Sequence, residues 1–159
     1  MNWIKTLISI FIVLFGQFFL SGILEINTVR PDFPVIFIMY TAIRNGRFHG
    51  IVIGFFIGIL VDLSGVSSYF GLSSLTYVVT AYLSGYLQMK SDRLDSVYYM
   101  VSWIGILAIH FLIFTVVRYQ ILLTEYHFLF LIKWISTTAY TLGFMLIFQF
   151  IYNINPNKY

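Results

Sequence analysis

Apolar residues gather into six runs along the chain, roughly 6–24, 33–43, 50–63, 71–89, 97–117 and 128–151. A helix needs about 20 apolar residues to cross a bilayer, within a range of about 17–25. The first, fourth, fifth and sixth runs meet that length by themselves. The second and third are short, so each crosses only with part of its flanking loop. The other arrangement open to them is one re-entrant hairpin beside four full spans. Polar residues are left to short connections. The pattern therefore predicts a single all-α transmembrane domain over residues 1–159, with no water-soluble domain, linker, repeat or low-complexity segment.

The first run follows Lys5 and resembles a secretory signal in outline. It is longer than a signal core, and no small-x-small cleavage site follows it. The expectation is a retained first transmembrane helix.

Lysine and arginine positions give the orientation. With six crossings and the N-terminus inside, Lys5, Arg44, Arg47, Lys90, Arg93 and Lys158 are cytoplasmic. Only Arg30 and Arg118 fall in outer loops, while Lys133 lies inside the sixth run near its outer end. Both termini are then cytoplasmic. Tyr98, Tyr99, Tyr119, Tyr126, Tyr152 and Trp3 sit near predicted helix ends, where amphipathic rings favour the interface. The Phe11, Phe15, Phe18 and Phe19 face reads as lipid contact or helix packing.

Composition agrees with this class. Hydrophobic residues make up 60% of the chain and charged residues 9%, against about 25% charged in soluble domains. Mean hydropathy is +0.90. The net charge of +3 is small, and its placement matters more than its sum. The chain has no cysteine, which excludes disulfides, thiolate metal sites and cysteine nucleophiles. His49, His110 and His127 lack the spacing of a metal cluster.

The third run carries the most regular motif. Gly50, Gly54 and Gly58 recur every four residues and lead to Asp62. Four-residue spacing stacks positions on one helix face, and a bare glycine face lets another backbone approach closely. Ser73, Ser74, Thr80, Ala81, Ser84 and Gly85 make the fourth run the expected mate. A partner in another chain is the other possibility. Asp62, near the outer end, has two main readings: an interfacial carboxylate reaching water or capping the turn Leu63-Ser64-Gly65, or a partner for Arg30. A proton or ion site is the third.

In Arg30-Pro31-Asp32 the proline suits a first helical turn, and the aspartate can accept backbone N–H groups. Arg30, Asp32 and Asp62 thus form an expected polar cluster at the outer mouth. Arg44, Arg47, Lys90 and Arg93 mark the inner basic loops, either as a topology signal or as a docking point for a partner or anionic lipid. His110 is expected to bond a backbone carbonyl, Gln17 and Gln149 to bond between helices, and Lys133 to snorkel outward. No P-loop, paired intramembrane carboxylates, nucleophile–base set or zinc-protease motif occurs. No catalytic residue, cofactor, metal or nucleic-acid partner is therefore expected.

Four motifs follow one another in order: Arg30-Pro31-Asp32; Arg44-Asn45-Gly46-Arg47; Gly54-Phe55-Phe56-Ile57-Gly58 running to Asp62; and Gly71-Leu72-Ser73-Ser74-Leu75-Thr76-Tyr77. In this order the chain resembles the rod shape-determining MreD family. That family's pattern is approximately R-P-D, then G-F-x-x-G-x-x-x-D, then G-L-x-x-L-x-Y. The likeness is specific between about residues 28 and 89 and rests on hydropathy and size beyond Lys90. Ser74 stands where the family often has alanine. The resemblance implies a six-helix bundle similar to the S-components of energy-coupling-factor vitamin transporters, in the bacterial cytoplasmic membrane. It also implies a non-enzymatic scaffold of cell-wall elongation that binds MreC, and through it MreB, RodA and a class B penicillin-binding protein. The alternative expectation is a vitamin-binding S-component itself.

Overall fold

The structure is a computed structural model that describes residues 3–64, 69–90 and 96–151. Every regular element in those residues is helical, and an isolated bridge between Ile26 and Val29 closes the first loop. Helix α1 covers Trp3–Phe15 and continues through a π-helical segment, Gly16–Leu20, into the short α2, Ser21–Ile23. The following elements are α3 (Phe33–Asn45), α4 (Arg47–Leu63), α5 (Leu72–Lys90) and α6 (Ser96–Arg118). A short α7 (Gln120–Glu125) and the long α8 (His127–Ile151) complete the set.

Three helical stretches are long and apolar enough to cross a membrane: Ile4–Ile23, Val97–Arg118 and His127–Phe150. They identify a membrane protein. Helix α3 has 13 residues and rises only about 20 Å, while α4 has 17 and rises about 25 Å. The second and third apolar runs thus remain the short ones.

A single residue, Gly46, joins α3 to α4. Its φ of +95° lies in the left-handed region that side chains resist. The Gly46 N–H bonds the Ala42 carbonyl and so ends α3 as α4 begins. The two helices fold back antiparallel, with Gly50 facing Ala42 and Gly54 facing Ile38. Helix α5 then runs antiparallel to α4, because Gly54 meets Tyr77, Gly58 meets Ser74 and Gly85 meets Arg47.

These close approaches explain the glycine stripe. A Cβ at Gly50 would sit 2.5 Å from the Ala42 Cβ, and one at Gly85 would sit 2.5 Å from the Arg47 Cα. A Cβ at Gly58 would lie closer still to the Ser74 backbone. Gly54 is looser, with its nearest approach to the Tyr77 carbonyl oxygen at 3.2 Å. The stripe is spent on α3 and α5 of the same chain. Ser73, Ser74 and Ser84 are all buried along the facing side of α5.

Helices α3, α4 and α5 form the centre. Eight of the thirteen α3 residues are buried, among them Val35, Ile38, Met39, Ala42 and Ile43. Trp103, Leu107 and Phe111 of α6 and Met145 of α8 add to the same core. Helices α1, α6 and α8 lie around it. Phe11, Phe15, Phe18 and Phe19 are exposed on the α1 segment, and the Phe15 and Phe19 rings stack at 4.3 Å.

Candidate functional site

Two carboxylates on different elements, the part-buried Asp32 and the buried Asp62, organise the polar interior. Asp32 is the N-cap of α3, and its Oδ1 accepts the Val35 N–H at 3.0 Å. Its own N–H donates to Thr141 Oγ1 of α8 at 3.3 Å. The next N–H, of Phe33, donates to Gln17 Oε1 in the π-helical segment at 3.0 Å. Side chains from the π-helical segment and α8 thus satisfy donors at the start of α3 that no helical carbonyl can reach. Tyr77 Oη of α5 lies 3.0 Å from each Asp32 carboxylate oxygen and donates to them.

Behind Tyr77 lies His110 of α6, only 1% exposed. The two rings stack nearly parallel, with centroids 5.5 Å apart and planes 5° from each other. Thr80 Oγ1 donates to the Thr76 carbonyl at 2.7 Å, which leaves its oxygen to accept from His110 Nδ1 at 2.9 Å. The network therefore assigns the ring hydrogen to Nδ1. His110 Nε2 has no hydrogen-bond partner and faces Asp32 Oδ2 at 3.6 Å, beyond hydrogen-bond length. The result is a continuous polar chain across α3, α5 and α6.

Asp62 forms the second node. It is buried at the end of α4, and its carboxylate accepts the N–H of Gly71 at 2.8 Å and of Ser73 at 3.2 Å. Those donors belong to the first turn of α5, where backbone N–H groups and the helix dipole favour an anion. The φ of +92° at Gly71 turns its N–H toward the carboxylate, a conformation in which glycine is at ease. Asp62 thus ties α4 to α5 across the intervening loop.

This corrects the expected outer-mouth cluster. Arg30 does not meet Asp62; its guanidinium pairs with Glu25, with Nη2 at 2.7 Å and Nε at 2.9 Å from Oε2. Asp62 is buried rather than interfacial, and among the described residues its carboxylate accepts from Gly71 and Ser73; Gly65, the last residue of the expected Leu63-Ser64-Gly65 turn, lies outside the described residues. A backbone pair across the loop satisfies a buried carboxylate, whereas Arg30 finds a nearer acid five residues back. Of the three, only Arg30 and Asp32 line the same cavity.

That cavity measures about 510 Å³ and opens at the end of the bundle carrying residues 25–32. Asp32, Tyr77 and Ser73 lie on its polar side, and Val61, Phe111 and Phe114 on its apolar side. Arg30, Arg118 and Lys133 border it as well. A second cavity, of about 650 Å³, runs between α1 and α3 from Leu20 and Phe33 to Arg44 and Asn45.

The basic residues Arg44, Arg47, Lys90 and Arg93 divide. The Arg47 guanidinium lies over the Tyr82 ring at 4.9 Å, and the Arg44 carbonyl accepts from Gln88 at 3.5 Å. Lys90 ends α5, and Arg93 lies outside the described residues. Lys133 reaches Thr28, donating to its carbonyl and hydroxyl oxygens at 2.6 Å each. Among the described residues no group of three acids or histidines is placed to hold a metal ion. The hydroxyls of Thr80 and Tyr77 are committed as donors, so neither is poised as a nucleophile.

The sequence pointed to His110, Tyr77 and Thr80 separately, and to a backbone carbonyl for His110, met by Thr76 at 3.4 Å, but not to the meeting of the three side chains. The hydroxyl-rich face of α5 was the available signal; which helix would meet it was not. No family model, curated protein or solved structure matches the chain.

Proposed function

We propose that this chain is an MreD-like scaffold of the bacterial cell-wall elongation machinery. In this reading it is a six-span bundle of the cytoplasmic membrane with both termini inside, resembling the S-component fold. It has no catalytic activity of its own. Its direct partner is MreC, and MreB, RodA and a class B penicillin-binding protein are reached through that contact.

One observation carries the reading. Three of the motifs that bear the resemblance are joined in space: Asp32 of the first bonds Tyr77 of the last, and Asp62 of the third bonds Gly71 and Ser73 of the last. Residues that look unrelated along the chain thus serve one interior framework, which is what a shared fold would require of them. The commitment of the Thr76, Tyr77 and Thr80 hydroxyls to structural hydrogen bonds supports a scaffold over an enzyme.

The test is co-purification with the MreC encoded by the same genome, in several mild detergents. A stable stoichiometric complex is expected. Absence of any complex, or capture of a transporter ATPase in its place, overturns the proposal in favour of a vitamin-binding S-component.

A further inference from the structure

The cavity beside Asp32 has an uneven charge balance. Arg30 is matched by Glu25. Arg118 and Lys133 have no carboxylate within salt-bridge distance among the described residues. Both hold their charge over the same ring, with Arg118 Cζ at 5.9 Å and Lys133 Nζ at 5.7 Å from the Tyr119 centroid. Arg118 Nη1 is buried and has no hydrogen-bond partner.

An unpaired guanidinium nitrogen next to a cavity is expensive to leave bare, because a charged donor loses its water and gains no acceptor. A guanidinium beside an ammonium matches the oxygens of a phosphate, which accept from a fork and a point charge together. The volume, about 510 Å³, is within the range of about 300–1,000 Å³ typical of small-molecule sites. Phe111, Phe114 and Val61 supply an apolar wall, and the Asp32 carboxylate on the opposite side disfavours a second anionic group there.

We propose that this cavity is a binding site for one phosphate group carried on a partly apolar molecule, held by Arg118 and Lys133 across Tyr119. The site goes beyond the scaffold reading and does not depend on it. The phosphate has two sources, a soluble organic phosphate or the headgroup of an anionic phospholipid.

Thermal unfolding of the purified full chain, followed by tryptophan fluorescence in neutral detergent, tests the site. The two probes are inorganic phosphate and dioleoyl phosphatidylglycerol, each against potassium chloride of equal ionic strength; phosphatidylcholine is the lipid control. A saturable rise in Tm with inorganic phosphate assigns the site to soluble phosphates. A rise with phosphatidylglycerol alone assigns it to the lipid. In either case Arg118→Gln weakens the affinity by about tenfold to a hundredfold, the effect of removing a charge-assisted hydrogen bond. Lys133→Gln weakens it too, and covers the case in which Arg118→Gln fails to fold. Arg47→Gln, at the opposite end of α4 over the Tyr82 ring, leaves the affinity within about threefold. No rise with either probe, or a rise that both Arg118→Gln and Lys133→Gln leave unchanged, overturns the proposal.

Discussion

The three inner helices and the three outer ones solve opposite problems. Among the described residues, every stretch apolar and long enough to cross a membrane lies in the Ile4–Ile23 segment, α6 or α8, yet only 11%, 33% and 22% of an 18-residue window in each is buried. Helix α5 is 19 residues long and is not among them. It buries Ser73, Ser74, Thr76, Thr80 and Ser84 instead. Hydropathy therefore reports contact with lipid rather than membership of the core. In a membrane the apolar side chains gain little by choosing a helix over lipid, so close packing and hydrogen bonding decide which helices go inside.

That contrast can be broken by single substitutions, read as thermal unfolding of the detergent-solubilised chain. The largest effect is expected at Gly58, where a Cβ meets the Ser74 backbone. Gly58→Ala should destabilise by about 3 kcal/mol, the upper range for overpacking. An unchanged Tm would mean that α4 and α5 do not touch there.

Next comes Asp62→Ala, which leaves the Gly71 and Ser73 N–H groups without their acceptor. A loss of about 2 kcal/mol is expected, and Asp62→Asn, which keeps one acceptor oxygen, should lose about half as much. Equal losses from the two variants would show that the carboxylate is not the cap.

Tyr77→Phe removes the bond to Asp32 but keeps the ring stacked on His110, and should cost about 1 kcal/mol. Combined with Asp32→Asn the losses should be less than additive, since both remove the same contact. Full additivity would separate the pair.

The outer helices should respond in the other direction. Nothing lies within 4 Å of a Cβ built at Gly143 of α8. Gly143→Ala should be neutral or stabilise by up to about 1 kcal/mol, from helix propensity alone. A marked loss would mean that α8 has a close neighbour at that point.

The smallest effect is expected at Arg30, whose side chain is 46% exposed. Arg30→Gln should change stability by about 0.5 kcal/mol or less. Its effect should add to that of Asp62→Asn, because the two side chains have different partners; coupling between them would restore the rejected pair.

The inner and outer regions also differ in how far they could be read from sequence. Local spacing was enough for the glycine face, since Gly50, Gly54 and Gly58 share one side of α4 wherever that side points. It was also enough for the start of α3, where Asp32 caps three residues away at Val35. The Asp62 cap was missed because its donors, Gly71 and Ser73, follow a loop whose path no periodicity specifies. The pairing of Arg30 with Glu25 lay five residues away but depends on the tight turn at Asn27 and Thr28, both at positive φ. His110 was visible as an ionisable residue in an apolar run. Its meeting with Thr80, 30 residues distant, needed the rotation of α6 about its axis. With apolar residues on every side of that helix, hydropathy left the rotation undetermined. The cavity shared by Arg30, Arg118 and Lys133 was hidden for the same reason.

The one-residue joint at Gly46 has a consequence for how the chain is made. A ribosome finishes α3 and α4 before any residue of α5 exists, and the hairpin can close at once because Gly50 already has Ala42 to rest against. Its other face cannot be completed so early: Asp62 waits for Gly71 and Ser73, Asp32 for Tyr77, and Gly58 for Ser74. Emergence of α5 is therefore the moment when the interior closes, and slowing synthesis between residues 64 and 90 would prolong the time in which Asp62 lacks its Gly71 and Ser73 donors and Asp32 lacks Tyr77.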